Sequence, residues 1–162
     1  MKPRVTEKTK VVEHGIAMQG GLVGSRAASL TAFIQENHSK WNSTPEAKLR
    51  DYLAWFADKD LLAISASRGE IYGVCTIKLF DQLEDFLSPK AFNPTGKFCM
   101  VDLLVAVSPV AIAQCFETLF GRWGPQETML WDRGERTEGG APRMYTWQQY
   151  LKLTRRLTYG LV

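Results

Sequence analysis

An aspartate inside a long apolar run is the residue of this sequence best placed to do chemistry. Asp102 is the only charged residue in the run from Phe98 to Val107. A carboxylate is costly to bury unless it is paired or hydrogen-bonded, and burial raises its pKa toward neutrality. A group of that kind suits general-base or orienting work. The alternative is a structural carboxylate that caps a loop or pairs with an arginine.

A histidine early in the chain is the second candidate for proton transfer. His38 follows a segment with helical spacing and comes shortly before Trp41. A histidine can take a proton from an amine because its pKa lies near neutrality. The alternative is a histidine at a helix end that interacts with the last carbonyl groups. A catalytic pair requires His38 and Asp102 to lie within hydrogen-bond reach, directly or through one water.

The remaining reactive side chains give weaker signals. Cys75, Cys99 and Cys115 each lie in an apolar run, and none belongs to a C-x-x-C pair. An odd number of cysteines argues against a disulfide framework, so we expect three buried thiols, with one nucleophilic cysteine as the alternative. The sequence contains no H-E-x-x-H or G-x-S-x-G motif. We therefore expect no metal and no tightly bound cofactor.

Length and composition are those of one globular domain. The chain has 162 residues, of which 45% are hydrophobic and 23% charged. We predict a flexible basic arm over residues 1–10 and a single domain over 11–162. No stretch approaches the roughly 20 apolar residues that span a bilayer, and residues 1–10 lack the apolar centre of a signal peptide. These features predict a cytoplasmic protein without a membrane span.

The elements that must position these residues follow from hydrophobic periodicity and turn signals. The pattern predicts an α+β fold, with a mixed sheet flanked by helices, in the order β-α-α-β-β-β-α-β-α. Capping-box spacings mark helix starts at Ser43–Glu46 and Thr146–Gln149. The apolar run 98–107 predicts a strand that is buried on both faces. The strand–helix–strand unit over 98–132 is expected to form a right-handed crossover. The other predicted strands are 10–13, 61–66, 71–80 and 127–132, with helices near 25–38 and 109–121 and a loop at 133–142.

This order of elements resembles the GNAT acyltransferase superfamily over nearly the whole chain, and within it the toxin-activating acyltransferases of the RTX type. Those enzymes use an early histidine and an aspartate on the central strand, which match His38 in His38-Ser39-Lys40-Trp41 and Asp102 in Met100-Val101-Asp102-Leu103-Leu104. The resemblance implies transfer of an acyl group from a thioester to a protein or small-molecule amine. It also implies a β-bulge that binds the thioester, and the matching donor-binding residues are Leu103, Leu104, Val105 and Ser108.

The loop after the central strand departs from the superfamily pattern. Typical members carry a Q/R-x-x-G-x-G/A loop whose backbone N–H groups hold the pyrophosphate of acetyl-CoA. The corresponding segment here, residues 107–112, has no glycine and no basic residue, and Pro109 lacks an N–H group. Acetyl-CoA binding of the usual kind is therefore not expected. RTX-type enzymes also depart from that loop, because they take the acyl chain from acyl carrier protein.

The C-terminal third combines basic and aromatic residues. This surface fits a docking face for an acidic partner such as acyl carrier protein, or for nucleic-acid phosphates. The alternative is a solvated helix face above an aromatic core. The net charge of +3 does not require nucleic acid, and we do not expect it as a partner. The basic residues are Arg133, Arg136, Arg143, Lys152, Arg155 and Arg156, and the aromatic ones are Trp123, Trp131, Tyr145, Trp147 and Tyr150.

Three functional hypotheses remain open at this point. The first is a GNAT-like acyltransferase in which Asp102 and His38 handle the proton. The second is a non-catalytic protein of the same fold that acts as a phage virion or accessory protein, or as an interaction module. A third, nucleic-acid binding, predicts an affinity that falls steeply with salt.

Overall fold

The strands and helices follow the predicted order, with one additional strand. In the computed structural model the described residues are 10–14, 24–38, 41–88, 91–124, 126–131 and 143–159. Residues 1–9 of the predicted basic arm and the predicted loop at 133–142 lie outside these ranges. The strands are β1 (Lys10–His14), β2 (Leu62–Ser67), β3 (Glu70–Phe80), β4 (Phe98–Ala106), β5 (Thr128–Trp131) and β6 (Arg143–Tyr145). The helices are α1 (Gly24–Asn37), α2 (Glu46–Asp58), α3 (Pro109–Trp123) and α4 (Trp147–Tyr159), with a 3-10 turn at Leu83–Leu87.

The six described strands form one mixed sheet in the order β1-β2-β3-β4-β5-β6. The pairings of β1 through β4 and of β5 with β6 are antiparallel, whereas β4 and β5 run parallel. A parallel pair needs a crossover connection, and α3 supplies it. The predicted α+β class and the mixed sheet flanked by helices are confirmed.

Helices cover both faces of the sheet. The hydroxyl of Ser65 on β2 donates to Gln114 of α3 at 2.6 Å, and Thr76 on β3 is 3.0 Å from the phenol of Tyr52 on α2. Ser65 pairs with Gly73, which lies three residues from Thr76 on the same strand. Side chains alternate along a strand, so α2 and α3 pack against opposite faces.

Gly73 allows α3 to approach the sheet closely. A Cβ atom at this position would lie 3.0 Å from the Cβ of Ala111. A tight turn joins β2 to β3. Arg68 and Gly69 both have positive φ, at 52° and 82°, which is the backbone of a type I′ hairpin turn.

Three local expectations were wrong. The N-cap of α2 is Pro45, whose side chain has no acceptor, so the capping box predicted at Ser43 is absent and Glu46 pairs with Arg50 at 2.8 Å. Strand β6 is absent from the prediction because three residues are too few to show a period of two. Strand β4 is buried on both faces only over Cys99–Val101, because Asp102 is exposed and Leu104 and Ala106 are half-buried.

The capping box of α4 is confirmed in both directions. Gln149 accepts from the backbone N–H of Thr146 at 2.9 Å, and its own N–H donates to the Thr146 hydroxyl at 3.2 Å. Within the described ranges no helix has the length and apolarity needed to cross a bilayer.

Candidate functional site

A β-bulge in β4 turns Asp102 out of the sheet. Thr76 pairs with Leu103 and Ile77 pairs with Val101, so Asp102 has no partner residue on β3. A bulge of this kind redirects one side chain from a regular strand. The carboxylate is consequently exposed. The expectation that it would be desolvated was wrong, because the sequence contains no sign that the ladder shifts by one residue here.

A chain of hydrogen bonds ends on the Asp102 carboxylate. The phenol of Tyr52 donates to Oδ2 of Asp102, and the Tyr52 oxygen is 3.0 Å from Oγ1 of Thr76. The backbone N–H of Leu103 donates to the same Thr76 oxygen at 3.1 Å. Since the Tyr52 proton goes to Asp102, the Thr76 hydroxyl must donate to Tyr52. All four groups are thus aligned in one direction, which strengthens each bond.

Tyr52 remains a neutral donor in this chain. Burial raises the pKa of its phenol well above the usual value, and the negative charge of Asp102 raises the pKa further. The hydroxyl of Thr76 lowers the pKa of Tyr52, because a donor to the phenol oxygen stabilises the ionised form. Tyr52 therefore holds Oδ2 of Asp102 in place at neutral pH, and Oδ1 is the oxygen left to accept a proton.

A buried lysine lies two residues beyond Thr76 on the same face of β3. Lys78 is 3% exposed, and its Nζ donates to the carbonyl of Phe86 at 3.0 Å and to that of Ser88 at 2.5 Å. Burial lowers the pKa of Lys78, and the negative charges of Asp102 and Asp85 partly offset this. Lys78 thereby ties the 3-10 turn to the sheet beside the site.

No direct hydrogen bond joins His38 to Asp102 in the part of the chain that the structure describes. His38 lies at the end of α1, where its backbone N–H donates to Ile34 at 2.9 Å and its carbonyl accepts from Trp41 at 3.0 Å. The Trp41 ring packs against Tyr52 with centroids 5.2 Å apart. His38 is thus linked to Asp102 through Trp41 and Tyr52, and its role as a proton acceptor stays a prediction.

The predicted donor-binding residues follow the bulge directly. The side chains of Leu103 and Val105 are buried and that of Leu104 is half-buried, so a ligand would meet their backbone. The N–H groups of Leu103 and Val107 point toward β3, where they bind Thr76 and Tyr72. By alternation, the N–H groups of Leu104 and Ala106 point toward the β5 side. The last described pair on that side is Val101 with Trp131.

The N-terminus of α3 uses most of its N–H groups internally. Ser108 is the N-cap, and its hydroxyl accepts from Ala111 at 3.2 Å. The N–H of Ile112 donates to the Ser108 carbonyl at 3.3 Å, and Pro109 has no N–H. At most the N–H of Val110 remains for a ligand, so this helix start is a poor pyrophosphate site. The predicted contact of Ser108 with a donor stays a prediction.

The three cysteines do not form a nucleophilic site. All are buried and free, as the apolar context predicted. Burial raises the pKa of Cys75 well above its usual value and that of Cys115 to about 12. Burial also raises the pKa of Cys99. A thiol attacks as the thiolate, so none of the three is activated at neutral pH.

Sequence reasoning missed the two residues that hold Asp102. Tyr52 recurs at helical spacing with Leu49, Leu53 and Phe56, which is typical of an apolar stripe, and Thr76 lies in a strand pattern without any special signal. One signal was available, because a tyrosine on a core-facing stripe still needs a partner for its hydroxyl. Asp102 is the single carboxylate of the neighbouring strand run, and it is the natural acceptor.

Comparisons with known proteins do not assign this chain to a family. Among the described residues no three His, Cys, Asp or Glu side chains are grouped as metal ligands would be. A scan against protein-family models finds no match, and a search of curated proteins finds no similar sequence. The case for a function therefore rests on the site itself.

Proposed function

We propose that this protein is a GNAT-like acyltransferase that moves an acyl group from a thioester to an amine. One observation carries the proposal. The bulge in β4 presents an exposed carboxylate that is fixed by Tyr52, directly before the backbone N–H groups of Leu103 and Leu104. An acid-base group and a set of backbone donors are thus adjacent on one strand.

In the proposed reaction the amine nitrogen bonds to the thioester carbonyl carbon while Oδ1 of Asp102 takes its proton. The C–S bond then breaks, and the leaving thiolate recovers the proton, which regenerates the carboxylate. Tyr52 positions Asp102 and stays protonated throughout, since burial holds its pKa high. A positioned base of this kind contributes about 10²- to 10⁴-fold in rate.

The oxyanion of the tetrahedral intermediate needs backbone donors. The N–H of Leu103 is already bound to Thr76, which leaves Leu104 as the nearest donor on the β5 side after the bulge. Removing one such donor from an acyltransfer site costs about 10²-fold or more. In the proposed site the thioester carbonyl oxygen therefore accepts a hydrogen bond from the backbone N–H of Leu104. The bulge fixes the direction of this N–H group.

The test is a thermal-shift screen against coenzyme A, acetyl-CoA, a long-chain acyl-CoA and acylated acyl carrier protein. A ligand at one hundred times its dissociation constant stabilises the native state by about 2.7 kcal/mol. We expect stabilisation by a long-chain thioester and by the acylated carrier protein. No shift with any thioester would refute the proposal.

A non-catalytic interaction protein of the same fold, such as a phage virion or accessory protein, is the second candidate. The observation that favours it is the start of α3, where Ser108 and Pro109 leave almost no free N–H group for a pyrophosphate. A long-chain acyl-CoA that binds but is never consumed in the presence of amines would support this candidate.

A further inference from the structure

The outer side of β6 and α4 forms a shallow groove that the proposed reaction does not use. The groove has a volume of about 210 Å³. Helix α4 packs through Trp147 and Tyr150 against α3, which covers the sheet face opposite Tyr52. We call it the C-terminal basic groove. Its lining residues are Tyr145, Gln149, Lys152, Leu153 and Arg156.

The cations of this region lack acidic partners within the described ranges. Arg50 and Arg122 elsewhere pair with Glu46 and Asp60, at 2.8 Å and 3.1 Å. Among the described residues no ion pair involves the four basic residues of β6 and α4, all of which are exposed. Residues 143–162 contain no Asp or Glu at all. The four cations are Arg143, Lys152, Arg155 and Arg156.

Two neutral features shape the groove between the cations. The capping box fixes Gln149, because its Oε1 accepts from the N–H of Thr146 at 2.9 Å. Its amide NH₂ is then the end available to an incoming acceptor. The half-buried side chains of Tyr145 and Leu153 supply apolar surface in the same lining. A matching ligand therefore carries carboxylates and at least one apolar side chain.

The charge of the remaining chain argues against a long polyanion. Residues 11–142 contain sixteen acidic and twelve basic residues, so only the two ends of the chain are basic. A nucleic acid that extended beyond the groove would meet like charge, whereas a short acidic segment would not. A membrane surface fits no better. Tyr150 is 1% exposed and Trp147 packs edge-on against Phe120, so the apolar face of α4 is already buried.

We propose that the C-terminal basic groove binds an acidic segment of a partner protein. Carboxylates of that segment pair with Lys152 and Arg156, which lie four residues apart on one side of α4. An apolar side chain between those carboxylates contacts Tyr145 and Leu153. The proposal is independent of acyl transfer, because it concerns binding at the opposite face of the sheet.

Fluorescence anisotropy with a short labelled peptide of glutamate pairs and leucines tests the proposal on the full chain. We expect saturable binding that weakens as salt is added. The charge reversal Lys152→Glu with Arg156→Glu should weaken it at least about tenfold. A matched control, Lys48→Glu with Lys97→Glu, reverses two exposed lysines elsewhere and should change the affinity less than about threefold.

Three results would overturn the proposal. One is equal weakening by both double variants, which would mean that only net charge matters. Another is tighter binding of a single-stranded DNA oligonucleotide or of phosphatidylserine vesicles than of the peptide. The third is no peptide binding to the wild-type protein. The milder pair Lys152→Ala and Arg156→Ala repeats the test if the charge reversal fails to fold, as judged by circular dichroism.

Discussion

Asp102 and Lys78 are charged residues on neighbouring strands, and the sheet holds them in opposite ways. Asp102 is exposed and takes a hydrogen bond from a fixed phenol. Lys78 is buried and donates to two backbone carbonyls. The bulge makes the difference, because Lys78 pairs regularly with Met100 whereas Asp102 has no partner residue on β3.

The comparison separates two uses of a charge in an apolar strand. Nearly all of the surface of Lys78 is taken up by the protein, so it can hold the 3-10 turn but cannot reach a ligand. Asp102 has one oxygen fixed and one open, which is the arrangement that a proton acceptor needs. We therefore expect substitutions at Asp102 to change chemistry and substitutions at Lys78 to change stability.

The largest expected effect is on rate, from Asp102→Asn. An asparagine oxygen can still accept from Tyr52, but the amide cannot take a proton. The rate of acyl transfer from the thioester found in the ligand screen should fall by about 100-fold or more, with stability nearly unchanged. Single-turnover kinetics and thermal unfolding measure the two quantities.

Lys78→Met is the control for that variant. It should retain the rate within about threefold, since Lys78 contacts no reacting group. A loss of less than tenfold in rate for both single variants, Asp102→Asn and His38→Ala, would contradict the proposed roles of the two residues in proton transfer. So would a larger loss for Lys78→Met than for Asp102→Asn.

Thr76→Val should have the next largest effect, on stability. Thr76 is fully buried, and valine removes the acceptor of the Leu103 N–H while keeping the shape of the side chain. A buried N–H without a partner costs about 1 to 3 kcal/mol. Urea unfolding measures this loss, and a variant as stable as wild type would show that the chain is not formed in solution.

Tyr52→Phe should have a smaller effect on stability and a specific effect on rate. Phenylalanine keeps the ring contacts with Trp41 and Phe56 but frees the Asp102 carboxylate to rotate. We expect a loss of about 1 kcal/mol in stability and about tenfold in rate. If kcat is unchanged, Tyr52 does not position the carboxylate.

The sequence predicted the elements well because periodicity and caps are local signals. The order of nine elements, the capping box at Thr146 and Gln149 and the burial of the cysteines all depend on residues close together in the chain. Strand β6 was missed because three residues carry no periodicity.

The site was less predictable because its geometry depends on pairing between distant segments. The bulge at Asp102 arises from the register of β3 against β4, and the partner of Asp102 is fifty residues away on α2. A single sequence contains no direct record of either. Asp102 was singled out from its apolar surroundings, whereas Tyr52, Thr76 and Lys78 were not.

The smallest expected effect is a dependence of stability on pH that Lys78 alone provides. Burial lowers its pKa in the folded protein below the usual value of 10.5. Between the lowered pKa and 10.5 the unfolded chain binds more protons, so stability rises with pH in that window. The free energy of unfolding of the wild type should therefore rise relative to that of Lys78→Met as the pH approaches 10.5, and the difference should be constant well below the lowered pKa.

Tyr52 and the cysteines titrate in both proteins, so their contributions cancel in this difference. Urea unfolding of both proteins under reducing conditions measures it. A difference that falls with rising pH would mean that the folded protein favours the charged form of Lys78. Lys78 and Asp102 would then differ in where they lie in the sheet, and burial of the Lys78 charge would not cost free energy.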